Sequence, residues 1–170
     1  MRADFTPRDE FRHILAALTP SNRLALETSL ATGLRISDVL NLKSDDLRER
    51  FFIRELKTGK KKYIYLPKCL LFRLKSLSGR FYVFEHRFTP LKHKTRQAVY
   101  KDLKRACRVF RIKNLQLSPH SARKIYAVFE YQKSHNLEKV KGLLNHESEA
   151  VTMLYAMADC LRNRCAPKNQ

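Results

Sequence analysis

Acidic side chains are scarce in this sequence: 16 Asp and Glu stand against 35 Lys and Arg over 170 residues, a net charge of +19. An imbalance of that size goes beyond what solubility needs and calls for a polyanionic partner, nucleic acid ahead of an acidic membrane. Long apolar runs are also lacking. None approaches the roughly 20 residues that cross a bilayer, and the N-terminus has no signal-like apolar core, so no membrane partner is expected. The four cysteines, Cys69, Cys107, Cys160 and Cys165, form no CxxC pair and have no HxxxH to complete a zinc site, so reduced thiols and no bound metal are expected. Only 4 glycines and 6 prolines interrupt the chain, and no repeat or low-complexity tract appears. What remains is 44% hydrophobic, enough for the core of one compact, helix-rich domain.

The periodicity places the elements. TPRDEFRHILAAL predicts a helix with Thr6 as N-cap and Pro7 at its first position, and SNRLALETSLATG a second helix ending at Gly33. RISDVLNL follows as a short third helix. Between Phe51 and Pro67 the period changes to that of strands, FFIREL and KKYIYLP flanking KTGK, which predicts a β-hairpin. RFYVFE, from Arg80 to Glu85, reads as a third strand, with a helix from Lys68 to Leu77 before it. TRQAVYKDLKRACRVF then has Val99, Leu103, Ala106 and Phe110 at helical spacing and Lys101, Lys104, Arg105 and Arg108 away from them. From Arg87 to Lys113 ten Lys or Arg accompany one acid, Asp102, an asymmetry that suits phosphate contact better than a merely solvated face. SPHSARKIYAVFEYQ, with Ser118 as N-cap, a shorter helix over Leu137–Leu144, and a last amphipathic segment complete an α+β, mainly helical chain with a small antiparallel hairpin or three-stranded sheet.

Taken singly, the candidate residues have ordinary readings. His120 and Arg123 share one face in the first turn of a helix, where free N–H groups and the helix dipole favour an anion, yet a cap histidine beside a surface arginine is commoner. Arg35 after a glycine reads as a surface arginine at a helix start, Lys57 and Lys60 as solvated lysines of a hairpin tip, His146 as an N-cap and Tyr155 as a half-buried core tyrosine.

Their order is more specific. TGLRISDVLNL, LKTGK, SPHSARK and LLNHESEAVTMLY follow one another from Thr32 to Tyr155. This series resembles the tyrosine recombinases of the phage integrase family, whose signatures take the form TGLRxSEL, a KT or KG hairpin, HxxR and LGHxxxxxTxxY. The resemblance implies that Arg35 and Arg123 clamp a scissile DNA phosphate, that Lys57 is the hairpin lysine, that His120 and His146 are the two histidines, and that Tyr155 is the nucleophile, with Asp38 the acid behind the first arginine. LNH replaces LGH, and Met157 stands where many members have histidine. Only 34 residues precede Arg35, so the expectation is a single catalytic domain over 1–170 without the helical DNA-clamping domain that family members usually carry ahead of it.

The implied function is site-specific recombination: DNA strands are cut and rejoined through a 3′-phosphotyrosine, with no cofactor. Double-stranded DNA is the implied partner, bound by a multimer with or without an accessory DNA-binding protein, in the cytoplasm of a bacterial or virus-infected cell. Lys60, Lys61, Lys62, Lys101, Lys104, Arg105 and Arg108 are expected to contact it. A type IB topoisomerase and a DNA-binding accessory protein without activity are the rivals. Nine residues at about 100° each would put His146 and Tyr155 on opposite faces of one unbroken helix, so either His146 sits at a cap ahead of it or the chain breaks before Tyr155, the first being favoured.

Overall fold

The computed structural model describes residues 6, 8–112 and 116–145. The helices within them are α1 (Arg8–Leu15), α2 (Pro20–Thr32), α3 (Ile36–Leu40), α4 (Lys68–Leu77), α5 (Arg96–Val109), α6 (His120–Ser134) and α7 (Leu137–Leu144). Strands β1 (Arg50–Arg54) and β2 (Lys61–Tyr65) form one antiparallel hairpin, and β3 (Glu85–His86) and β4 (Thr89–His93) a second. The mainly helical α+β class read from the sequence is the one observed.

Each helix lies where its apolar stripe and end signals place it. In α1, Phe11, Ile14 and Leu15 are buried and face α5, whose Val99, Leu103 and Ala106 are buried in turn. Thr6, expected to cap α1, is buried and donates its hydroxyl to the Glu10 carboxylate at 2.8 Å. Thr95 caps α5, accepting from the Ala98 N–H at 3.2 Å. Ser118 performs the equivalent service just ahead of α6, its hydroxyl accepting from the His120 N–H. α7 packs on α6 through Ala127, Val140 and Leu144.

The α2–α3 junction is the tightest turn. Gly33 has φ of +67°, and its N–H closes α2 on the Ser29 carbonyl at 2.9 Å. A Cβ there would run into the Tyr126 ring of α6. The position therefore needs glycine twice, for its left-handed backbone and for the close approach of α2 to α6. Arg35 follows two residues later, so this turn sets where its side chain starts.

The third strand expected over Arg80–Glu85 is not formed. Tyr82 makes one isolated bridge to Lys43, and pairing begins at Glu85, which joins β4 instead. The reason is burial: consecutive Val83 and Phe84 both enter the core, which a period-2 strand with one wet face cannot do. The β3–β4 hairpin itself was not anticipated.

Asp102, the single acid of the basic stretch, fastens the N-terminal helices to α5. Its Oδ2 accepts from the Thr19 N–H, the Thr19 hydroxyl and Asn22, at 2.8–2.9 Å, and its Oδ1 from Arg105 at 2.7 Å and 3.0 Å. Burial pushes this carboxyl up, but the combined donors outweigh it and hold it below the usual carboxylate range. A depressed folded pKa stabilises at pH above the unfolded value and is lost as pH falls through the folded one. Asp102→Ala is expected to cost about 1.5–3 kcal/mol in urea unfolding at neutral pH, the range for a hydrogen bond to a charged group. The difference from the parent chain should shrink as the pH is taken below the ordinary carboxylate range.

Candidate active site

Strand alternation decides what the first hairpin turns toward the helices. β1 and β2 pair with Phe51 opposite Ile64 and Ile53 opposite Lys62. Phe51, Ile64 and Lys62 are buried, whereas Phe52, Tyr63 and Tyr65 are exposed. Continuing that inward row past the end of β1 brings in Glu55, whose relative exposure is 0%. The turn beyond is closed by Glu55 N–H to the Lys60 carbonyl at 3.0 Å and Gly59 N–H to the Glu55 carbonyl at 2.8 Å, with Gly59 at φ +66°. Lys57 rides on this turn and is exposed.

The two arginines arrive from opposite sides. Arg35 stands between the Gly33 turn and α3, 3% exposed; Arg123 lies in α6, 1% exposed. Both meet Glu55: Arg35 Nη1 is 3.3 Å from Oε2, and Arg123 Nη1 is 3.8 Å from Oε1. Arg123 also donates to the carbonyls of Gly33 and Leu144, each at 2.7 Å. Those carbonyls lie at the C-terminal ends of α2 and α7, the negative ends of the helix dipoles, which favours a cation there.

Asp38, also buried, links α3 to the hairpin by accepting from the Leu56 N–H at 2.9 Å. Burial raises this carboxyl above its usual range and neighbouring Glu55 adds to that, while the Leu56 N–H, Arg35 and Arg123 oppose it.

Lys62 needs a correction. Read from the sequence as a DNA contact, it points inward, 7% exposed, and donates to the Thr32 carbonyl at 3.2 Å. Burial first, then repulsion from Arg123 and Arg35, lower its ammonium to about 8, with Glu55 and Asp38 pulling the other way. It is a third cation of the buried cluster.

Of the other expected surface cations, Lys60, Lys61, Lys101 and Arg108 are exposed, and Lys104 is half-buried over the Tyr100 ring. Arg105 is exposed but engaged by Asp102 and by the Ala17 carbonyl at 2.6 Å. His120 is exposed at the first position of α6, one turn before buried Arg123. His146 and Tyr155 lie outside the described residues, so the fold brings together Arg35, Asp38 and Arg123 and sets Lys57 on the adjoining turn. The sequence reading missed Glu55. Its signal was available: it falls on the inward row of Phe51 and Ile53, where a charged side chain is costly without a partner.

Two guanidiniums converging from separate elements are chemically suited to an oxyanion, since each offers charged, planar donors matched to phosphate. The model of the phage integrase family matches residues 4–161. The chain belongs to the phage integrase family.

Among relatives in that family, a tyrosine recombinase of Thermosipho africanus is 29% identical over 163 residues, covering 89% of this chain and 56% of the relative. The tyrosine recombinase XerA of Pyrococcus furiosus is 29% identical over 158 residues, covering 88% of this chain and 51% of its own length. The chain thus spans little more than half the length of these relatives. Solved structures share its fold. A lambda integrase (75–356) dimer bound to a core site superposes with a TM-score of 0.75 at 22% identity, over 90% of this chain and 59% of that one. The lambda integrase catalytic core gives 0.71 at 21% identity, over 84% and 91%.

Proposed function

We propose that this phage integrase family chain is the catalytic domain of a site-specific recombinase that cuts and rejoins DNA through Tyr155. The observation that carries the reading is the convergence of Arg35 and Arg123 on one buried carboxylate beside the turn that holds Lys57. The relatives named as tyrosine recombinases, and a XerH recombinase whose structure is a post-cleavage complex with its palindromic difH substrate, support the same chemistry.

Attack by the Tyr155 oxygen on phosphorus makes it five-coordinate and gathers charge on the two nonbridging oxygens. Arg35 and Arg123 meet that charge with preorganised donors, the kind of stabilisation that commonly dominates catalysis. The tyrosine proton must leave as the bond forms, to water or by way of a histidine, because a phenol has a pKa of about 10, and a cationic site favours the phenolate. The bond to the sugar 5′ oxygen breaks, and that oxygen takes a proton from the Lys57 ammonium as general acid. His120 and His146 assist by donating to the phosphate or passing the proton. The product is a 3′-phosphotyrosine and a free 5′ hydroxyl. Attack by a second strand's 5′ hydroxyl reverses the steps, so no external energy source is consumed. The exposed cations of α5 and the hairpin, Lys60, Lys61, Lys101 and Arg108, steady the duplex backbone around this centre.

In this reading double-stranded DNA is the partner, a multimer assembles on it, and an accessory protein or further domain contributes sequence preference; the reaction takes place in the cytoplasm of a bacterial or infected cell. A two-site recombination assay on supercoiled DNA tests it. Exchange between sites is the expected result. Relaxation of supercoils without exchange would move the assignment to a type IB topoisomerase, and neither activity would leave a DNA-binding accessory protein.

The assignment of Lys57 has its own test. Lys57→Ala is expected to slow cleavage by on the order of 10²-fold to 10⁴-fold, the usual range for general acid catalysis. Replacing the bridging 5′ oxygen of the DNA by sulfur should restore much of that rate, since a thiolate leaves without a proton. Rescue of Lys60→Ala instead would move the proton donor along the turn.

A further inference from the structure

The Glu55 carboxylate is fully buried and holds three groups at once. One oxygen is 3.3 Å from Arg35 and accepts from the Thr58 hydroxyl at 2.7 Å; the other is 3.8 Å from Arg123. Arg35 starts from the α2–α3 turn, Arg123 from α6, and Thr58 belongs to the same hairpin turn as Lys57. Without an anion between them two buried guanidiniums repel, and Lys62 adds a third cation from β2, drawn to the Thr32 carbonyl. Asp38 is on the opposite side of the balance but spends one oxygen on the Leu56 N–H of that hairpin turn. Glu55 lies within 4 Å of both arginines and is also hydrogen-bonded to the turn.

We propose that Glu55 is a positioning residue of the phosphate clamp, fixing Arg35 and Arg123 relative to each other and to the hairpin turn that carries Lys57. The inference rests on the reading of Arg35 and Arg123 as the groups that receive the scissile phosphate. Glu55 acts from behind the guanidiniums. It supplies the charge that lets both be held in one place before DNA arrives, and through Thr58 it ties that place to the proton donor. A small displacement of either arginine is enough to matter, because misplacing a reacting group by about 1 Å costs on the order of 10²-fold in rate. Charge balance by itself is a different and weaker role, and Lys62 makes the two separable. Removing one anion and one cation together returns the cluster to its original net charge while leaving the arginines without the carboxylate that aligns them.

The experiment measures covalent adduct formation at saturating DNA, DNA affinity, and thermal unfolding for the full chain and for Glu55→Gln, Lys62→Met, the Glu55→Gln/Lys62→Met pair and Arg35→Ala. Glu55→Gln is expected to unfold at lower temperature and to form adduct roughly 10-fold to 100-fold more slowly, with DNA affinity unchanged or tighter. Adding Lys62→Met should restore most of the unfolding temperature and leave the adduct rate at or below that of Glu55→Gln. If the rate returns together with the unfolding temperature, Glu55 only balances charge and the proposal is wrong. It is equally wrong if Glu55→Gln matches the parent rate while Arg35→Ala is inactive. An Arg35→Ala chain that forms adduct at the parent rate would instead overturn the clamp reading itself, and with it the role given to Glu55.

Discussion

Tyr155→Phe is expected to abolish covalent protein–DNA complexes in denaturing gels while leaving DNA binding intact. The substitution removes one oxygen, the atom proposed to attack phosphorus, and leaves an aromatic ring of the same shape. No other group compensates, since a phenyl ring has no nucleophile and water attack would give hydrolysis rather than an adduct. The described tyrosines provide the contrast. Tyr126 packs against Gly33, and burial, aided by Glu130 and opposed by Arg123, pushes its hydroxyl up to about 12, so it is poorly suited to ionise. Tyr126→Phe and Tyr131→Phe should therefore still form adduct. A complex that survives Tyr155→Phe would remove the central residue of the mechanism.

Arg123→Lys carries the second large expected effect, on rate and on stability together. The native guanidinium spans two backbone carbonyls, of Gly33 and Leu144, while meeting Glu55. An ammonium is a single point of charge on a shorter reach and cannot satisfy both carbonyls and present a planar fork to phosphate. Cleavage at saturating DNA should fall by on the order of 10²-fold to 10³-fold, as for removal of one transition-state donor. Unfolding should become easier by about 1.5–3 kcal/mol, the range for a lost hydrogen bond to a charged group, since the ends of α2 and α7 lose their shared tie. Single-turnover cleavage and urea unfolding of the same preparation separate the two. A variant that loses stability but cleaves normally once DNA is bound would show that Arg123 serves the fold alone.

Most helices were legible in the sequence because their signals are local. Gly33 after α2, Ser118 ahead of α6 and the apolar stripe of Val99, Leu103 and Ala106 in α5 each act within a turn or two of themselves. Residues 80–84 misled because aromatic and β-branched side chains favour strands and buried coil alike, and only tertiary packing decided for the core. The candidate site divides the same way. Arg35, Lys57 and Arg123 stand in motifs, and the motif order was enough to nominate them. Glu55 and Lys62 stand in no motif; they act by facing inward, which depends on the register of a hairpin and on what packs over it. Lys62 lay in a run of lysines, so its neighbours' exposure concealed its own burial. Arg105 was likewise grouped with phosphate contacts, though Asp102, three residues earlier on the same helix, already holds it.

The most direct test of the whole account is to map the covalent bond. A DNA duplex carrying a recombination site and a nick placed so that the cut fragment diffuses away traps the cleaved state, and mass spectrometry of the digested complex locates the linkage. The expected product is the peptide containing Tyr155, modified on its phenolic oxygen by the 3′ phosphate of the DNA. Attachment at another residue, or through a 5′ phosphate, would contradict it.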